Sequence, residues 1–218
     1  MISTRNLSEL PDIPTLKRLT QSLAMLDAIM MPDWQYRYYS FNSMWDVGEE
    51  MASMTDGSGD EWYCLFTADG AALKGFNHES EMSPWANDEH TLWKGVLDEL
   101  PPVFSRFLNE PAFDMQNTTF CIWRTIQDPL WNIGSIDFPD NDDDDPDGSE
   151  GLLSLLNGDP MSYKKWAEEY YDRVVSLSAI QRIYAYEPLS EAVVKELNPA
   201  IELETIRADA IHIGYPVG

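Results

Sequence analysis

Leu16, Leu19, Leu23, Leu26 and Met30 recur at alternating intervals of three and four residues. That spacing lays a narrow apolar stripe along a helix that begins after Pro14 and is stopped by Pro32. The period then shortens. Residues 34–41 (WQYRYYSF), 61–67 (EWYCLFT) and 71–76 (AALKGF) are short, aromatic or apolar runs bounded by turn residues, which predicts strands. Asp69-Gly70 separates the last two and predicts a hairpin with a type I′ turn, because both central positions of that turn need positive φ. Residues 44–54 fit either pattern.

A loop rich in Pro, Asn and Asp covers 77–89. Pro101-Pro102 then opens a helix over 102–108 with Val103, Phe104, Phe107 and Leu108 on one face. Residues 118–124 and 130–136 read as two more strands joined through Gln127-Asp128-Pro129. Beyond an acidic block the pattern turns helical over 151–156, 163–175, 179–186 and 191–197, the last entered at Ser190 and left at Asn198-Pro199. Residues 211–215 suit strand or helix. Strands in the first two thirds and helices in the last third predict an α+β fold rather than a sheet built from βαβ units. The expected architecture is a mainly antiparallel sheet of about four to six strands covered by helices, with Leu19, Leu23, Leu65, Phe66, Phe120, Ile122 and Trp166 at buried centres. One domain over residues 1–218 is expected, with an acidic loop at 137–150 inside it.

Composition supports folding and narrows the partners. The chain has 218 residues, 44% hydrophobic and 12% aromatic, with 14 Lys and Arg against 38 Asp and Glu for a formal charge of −24. Nucleic-acid and anionic-membrane binding draw on clustered cations, and only Lys17-Arg18 and Lys164-Lys165 are adjacent basic pairs. Neither class of partner is expected. A field this negative favours basic proteins and metal cations instead. The amino terminus lacks the apolar core of a signal peptide and no run approaches a membrane span, so a cytoplasmic protein is expected. Cys64 and Cys121 sit inside apolar runs, where burial would raise rather than lower a thiol pKa.

The run DGSGDEWYCLFTADGAALKGFNHESEMSPW at 56–85, with LNEPAF, DPDG and the terminal IGYP, resembles a family of bacterial cytosolic proteins to which no activity is assigned. The resemblance implies a bacterial origin and transfers no functional residue.

Three patterns carry candidate chemistry. Asp143, Asp145 and Asp147, followed by Gly148, match the first carboxylate positions and the turn glycine of an EF-hand calcium loop. Ser154 stands where the bidentate Glu belongs, and eight of the fourteen residues from 137 to 150 are acidic, so a solvated loop is the plainer reading. His78 and His90, with Glu79, Asp88 and Glu89 nearby, offer a metal or acid-base site if their side chains converge. His212 stands alone. Alternating Trp34, Tyr36 and Tyr38, opposed by Tyr39 and Phe41, fill a core, or, where exposed beside carboxylates, anchor a basic protein. No nucleophile elbow, phosphate-binding loop or dinucleotide fingerprint occurs, and no cofactor is expected. A non-enzymatic module that captures a basic protein, in the manner of immunity proteins or antitoxins, is the leading expectation; a small enzyme using His78 or His90 is the alternative.

Overall fold

The computed structural model describes residues 1–86, 88–140 and 143–218. Asn87, Asn141 and Asp142, which fall in the two expected loops, lie outside the described residues. In chain order the elements are α1 (Ile13–Met30), β1 (Tyr39–Asp46), β2 (Glu49–Thr55), β3 (Glu61–Thr67), β4 (Gly70–Phe76), α2 (Ser105–Leu108), β5 (Phe120–Thr125), β6 (Asn132–Ile133), α3 (Ser149–Leu153), α4 (Pro160–Tyr171), α5 (Leu177–Tyr184), α6 (Glu191–Leu197) and α7 (Leu203–Ile213), with short 3-10 turns between them. The strands follow one another in the sheet in the order β1-β2-β3-β4-β5-β6. This sequential antiparallel sheet with helices, including the C-terminal ones, is the α+β class. Among the described residues no helix is long and apolar enough to cross a membrane.

The chain divides into two compact units, one of Met1–Ile13 and Ser53–Asn157, the other of Pro14–Ala52 and Gly158–Gly218. In the first, β4 is buried along its whole length between β3 and β5. Its small residues suit that position. A Cβ at Gly75 would come within 2.1 Å of the Phe120 ring, and Phe120 is its register partner on β5, so the ring lies over bare backbone. Leu65, Phe66, Phe120 and Ile122 are buried there together with Trp62, Phe104, Phe107 and Phe113.

Three local expectations for this unit need correction. The β3–β4 hairpin forms, but Thr67 pairs with Gly70, so Ala68 and Asp69 are the central turn residues and neither has positive φ. Thr67 Oγ1 accepts from the Asp69 amide at 3.1 Å. Gly70 is needed for another reason, since a Cβ would sit 2.3 Å from the Arg124 carbonyl of β5. Residues 102–108 form a 3-10 turn and then a single helical turn. With three residues per turn, Phe104 and Phe107 share the buried side, while Val103 and Leu108 are exposed. The strand expected at 130–136 pairs only through Asn132 and Ile133. At Gly134 the chain leaves the sheet and passes so close to 95–98 that a Cβ would meet the Gly95 carbonyl at 2.0 Å.

In the second unit α1 is buried on nearly every side, not only along its stripe, and its buried residues include Gln21, Ser22 and Asp27. The strand expected at 34–41 is instead a 3-10 turn, Trp34–Tyr36, followed by β1 from Tyr39. The reason is tertiary. Asp27 Oδ2 accepts from the amides of Tyr38 and Tyr39 at 2.7 and 2.8 Å, and Arg37 Nε donates to the Met31 carbonyl. Residues 44–54 become the end of β1, the turn Val47-Gly48 and most of β2. The helix expected at 163–175 starts earlier, at Pro160 after the Asp159 cap, and ends at Tyr171 where Asp172 turns left-handed. Its Trp166 is half-buried rather than a buried centre. Residues 211–213 take the helical of the two expected forms and close α7, whose beginning at Leu203 was not expected, and Gly214 at φ 75 ends it.

Candidate functional site

The expected histidine site does not assemble as one cluster. His78 Nδ1 lies 2.6 Å from Asp60 Oδ1, and the same carboxylate accepts from the His78 amide and from Asn77 Nδ2. Asp60, not the nearer-in-sequence Asp88 or Glu89, is therefore its orienting partner. The hydrogen bond to Asp60 holds the imidazole above its ordinary pKa. His78 Nε2 is 3.9 Å from Glu79, and among the described residues no hydroxyl or thiol is hydrogen-bonded to the ring. His90 packs instead on the Trp85 indole, centroids 4.6 Å apart. His212 lies in the last turn of α7, and its carbonyl accepts from Ser43. Cys64 and Cys121 are free, buried thiols; burial pushes both upward, Cys121 to about 12.

The acidic block is less solvated than its sequence suggests. Asp147 is buried; its Oδ2 accepts from Thr4 Oγ1 at 2.5 Å and its Oδ1 from the Ser149 amide at 3.0 Å. Asp145 takes the next two amides of α3, Glu150 at 2.9 Å and Gly151 at 3.3 Å. These carboxylates thus satisfy amides that the first turn of a helix leaves without partners. Burial pushes the Asp145 carboxyl above its ordinary value, and the neighbouring Asp147 adds to it. Asp143 accepts from the Asp145 amide at 3.0 Å. Among the described residues no group of three or more His, Cys, Asp or Glu side chains is arranged to hold a metal ion.

A second buried acid escaped the sequence reading. Asp27, in the last turn of α1, is fully buried. Besides the two amides, its Oδ1 accepts from Tyr171 at 3.1 Å and, more weakly, from Tyr163 at 3.4 Å. Desolvation dominates over these hydrogen bonds and lifts its pKa to about 6. Arg37 is clamped on Asp209 by two bonds of 2.9 and 3.0 Å. Trp34 and Tyr36, on the turn held by Asp27 and Arg37, are 69% and 59% exposed.

The first unit displays its own exposed aromatic, which the sequence reading passed over as part of a polar loop. Trp85 is 61% exposed yet positioned. Its indole N–H donates to Asn117 Oδ1 at 2.7 Å, and Asn117 in turn donates to Asp114 and accepts at its carbonyl from Lys74. Lys74 is itself buried, paired with Glu61 at 2.8 Å. Met82, Ser83 and Pro84 are buried just before Trp85, while Glu81, Asp88 and Glu89 are exposed around it in sequence. The charge is lopsided. The first unit holds five Lys and Arg against 23 Asp and Glu, a net −18; the second holds nine against 15, a net −6. Such a unit can attract a cationic surface from a distance and offer it one fixed apolar anchor. No family model matches this chain, and no curated protein or solved structure does either.

Proposed function

We propose that this protein is a non-enzymatic binding module that captures a basic protein partner, with Trp85 as its anchor. The observation that carries this reading is an exposed indole held in place by Asn117 within a unit of net charge −18. An aromatic fixed before binding loses little freedom on association, and hot spots are enriched in Trp. The surrounding carboxylates speed encounter and select a cationic partner more than they add affinity. The partner expected is a protein of high isoelectric point with an apolar pocket ringed by Lys and Arg.

The test is capture from a lysate of the source organism on immobilised wild-type and Trp85→Ala protein, followed by reconstitution with the purified candidate. Support is a basic protein retained at about 0.05 M salt and released near 0.5 M, where screening is strong. Its affinity should fall roughly 30-fold or more in Trp85→Ala, with the circular dichroism of the variant unchanged. Binding that ignores both salt and Trp85→Ala, or no basic protein at all, overturns the reading.

A further inference from the structure

Arg18 stands apart from the guanidinium groups around it. In the second unit Arg37 is locked on Asp209, Arg182 on Glu187 and Arg207 on Glu204, and Arg173 donates to the Met30 carbonyl. Arg18 has no oxygen partner among the described residues. It lies exposed on α1 with its guanidinium carbon 6.0 Å from the centroid of the Tyr186 ring. Its immediate neighbour differs, since the Lys17 ammonium is already matched by Glu50 at 2.5 Å. In a protein of net charge −24, with carboxylates abundant, a guanidinium left without one requires an explanation.

The surroundings supply it. Arg18 lines a cleft of about 510 Å³ together with Lys17, Gln21, Ser43, Glu50 and Tyr186, and also a neighbouring cleft of about 420 Å³. The second is bordered by Tyr184, whose buried hydroxyl has no hydrogen-bond partner among the described residues. The platform under the guanidinium is held by hydrogen bonds. Tyr186, left-handed at φ 58 where the chain leaves α5, bonds back to the Ile183 carbonyl through its amide, and its one hydroxyl proton faces two acceptors, Gln21 Oε1 at 2.8 Å and the Gly214 carbonyl at 3.0 Å. Gln21 is fixed in turn by its bond to the Ile213 carbonyl.

We propose that this cleft binds a small organic molecule bearing a phosphate or carboxylate, with the Arg18 guanidinium as the anion anchor and the Tyr186 ring as its floor. A planar fork of N–H donors matches either oxyanion in two-point fashion, and the cleft volume falls within the roughly 300–1,000 Å³ of small-molecule sites. The charge of Lys17 is spent on Glu50, so selectivity for the anion rests on Arg18. The negative field of the rest of the chain is screened beyond about 8 Å at physiological salt.

The test is a titration of ¹⁵N-labelled protein with sodium phosphate and, separately, sodium acetate, at ionic strength held constant with NaCl. The signals read are the Arg18 Nε–H and the Ser43 and Gly214 amides. Saturable shifts confined to these signals and at least fivefold weaker in Arg18→Gln are expected; saturation by phosphate alone or by acetate alone assigns the oxyanion. Shifts that match the NaCl control, or that persist unchanged in Arg18→Gln, overturn the proposal. Neither outcome touches the Trp85 surface, which belongs to the other unit.

Discussion

Asp27 is the residue whose chemistry departs furthest from what its neighbours in sequence announce. Its carboxylate carries two amides and two phenols with no cation among the described residues, and its pKa of about 6 lies above the ordinary 3.8. Between those two values the folded state keeps a proton that the unfolded state has released. Stability attributable to Asp27 therefore falls as the pH rises through this window, and by neutral pH the penalty is on the order of 3 kcal/mol. Asn offers the same acceptor for the amides and does not titrate. We expect urea unfolding of the wild type, measured relative to Asp27→Asn, to lose most of that amount between pH 4 and 7. Parallel profiles would refute it. Asp27→Ala should be destabilised at every pH, because the amides of Tyr38 and Tyr39 would be buried without an acceptor.

At the scale of elements, α3 shows what an acidic run can do besides repel. Its first three amides are taken by Asp147 and Asp145, and Asp147 also receives the Thr4 hydroxyl, so one short helix and the chain's first residues share two carboxylates. Removing the side-chain acceptor in Asp147→Ala leaves buried donors unmatched at a cost of roughly 1–3 kcal/mol. Hydrogen exchange should then quicken at residues 149–151 and at Thr4, whereas unchanged protection at both places would contradict the shared role. The same occupancy bears on calcium. Asp145 and Asp147 already point oxygen at amides, so the melting temperature should show no saturable rise in millimolar Ca²⁺; a rise that disappears in Asp143→Asn would assign Asp143, Asp145 and Asp147 to a cation instead.

For the molecule as a whole, the uneven charge of the two units predicts an uneven response to salt. Self-repulsion among 23 carboxylates and five cations should make the first unit the chief beneficiary of screening. Raising NaCl from about 0.02 to 0.3 M, across which the screening length shortens severalfold, should raise the melting temperature. It should also protect amides of β3, β4 and β5 more than those of α4 to α7. Equal gains in both units would show that local ion pairs outweigh the net field. Surface pairs such as Arg207–Glu204 and Lys94–Asp137 are exposed enough to contribute little either way.

What was legible in the chain was what depends on near neighbours. The Leu16 to Met30 stripe, the runs that became β3 and β4 and the acidity all follow from local spacing and composition, because a short segment's periodicity states which face it can bury. The start of α7 was legible too, since Leu203, Ile206, Ala210 and Ile213 repeat at three and four, whereas residues 211–215 taken alone suit strand or helix. Other features had no local signature. Residues 34–36 turn because amides at 38 and 39 are claimed by a carboxylate more than ten positions earlier. His78 finds Asp60 across 18 positions of sequence, and Trp85 is fixed by Asn117 across 32. The sequence by itself determined the strand and helix inventory in outline and the sign of the field. Only the tertiary structure decided which polar groups meet, because burial raises the cost of an unmatched donor or acceptor and so selects partners that linear spacing does not encode.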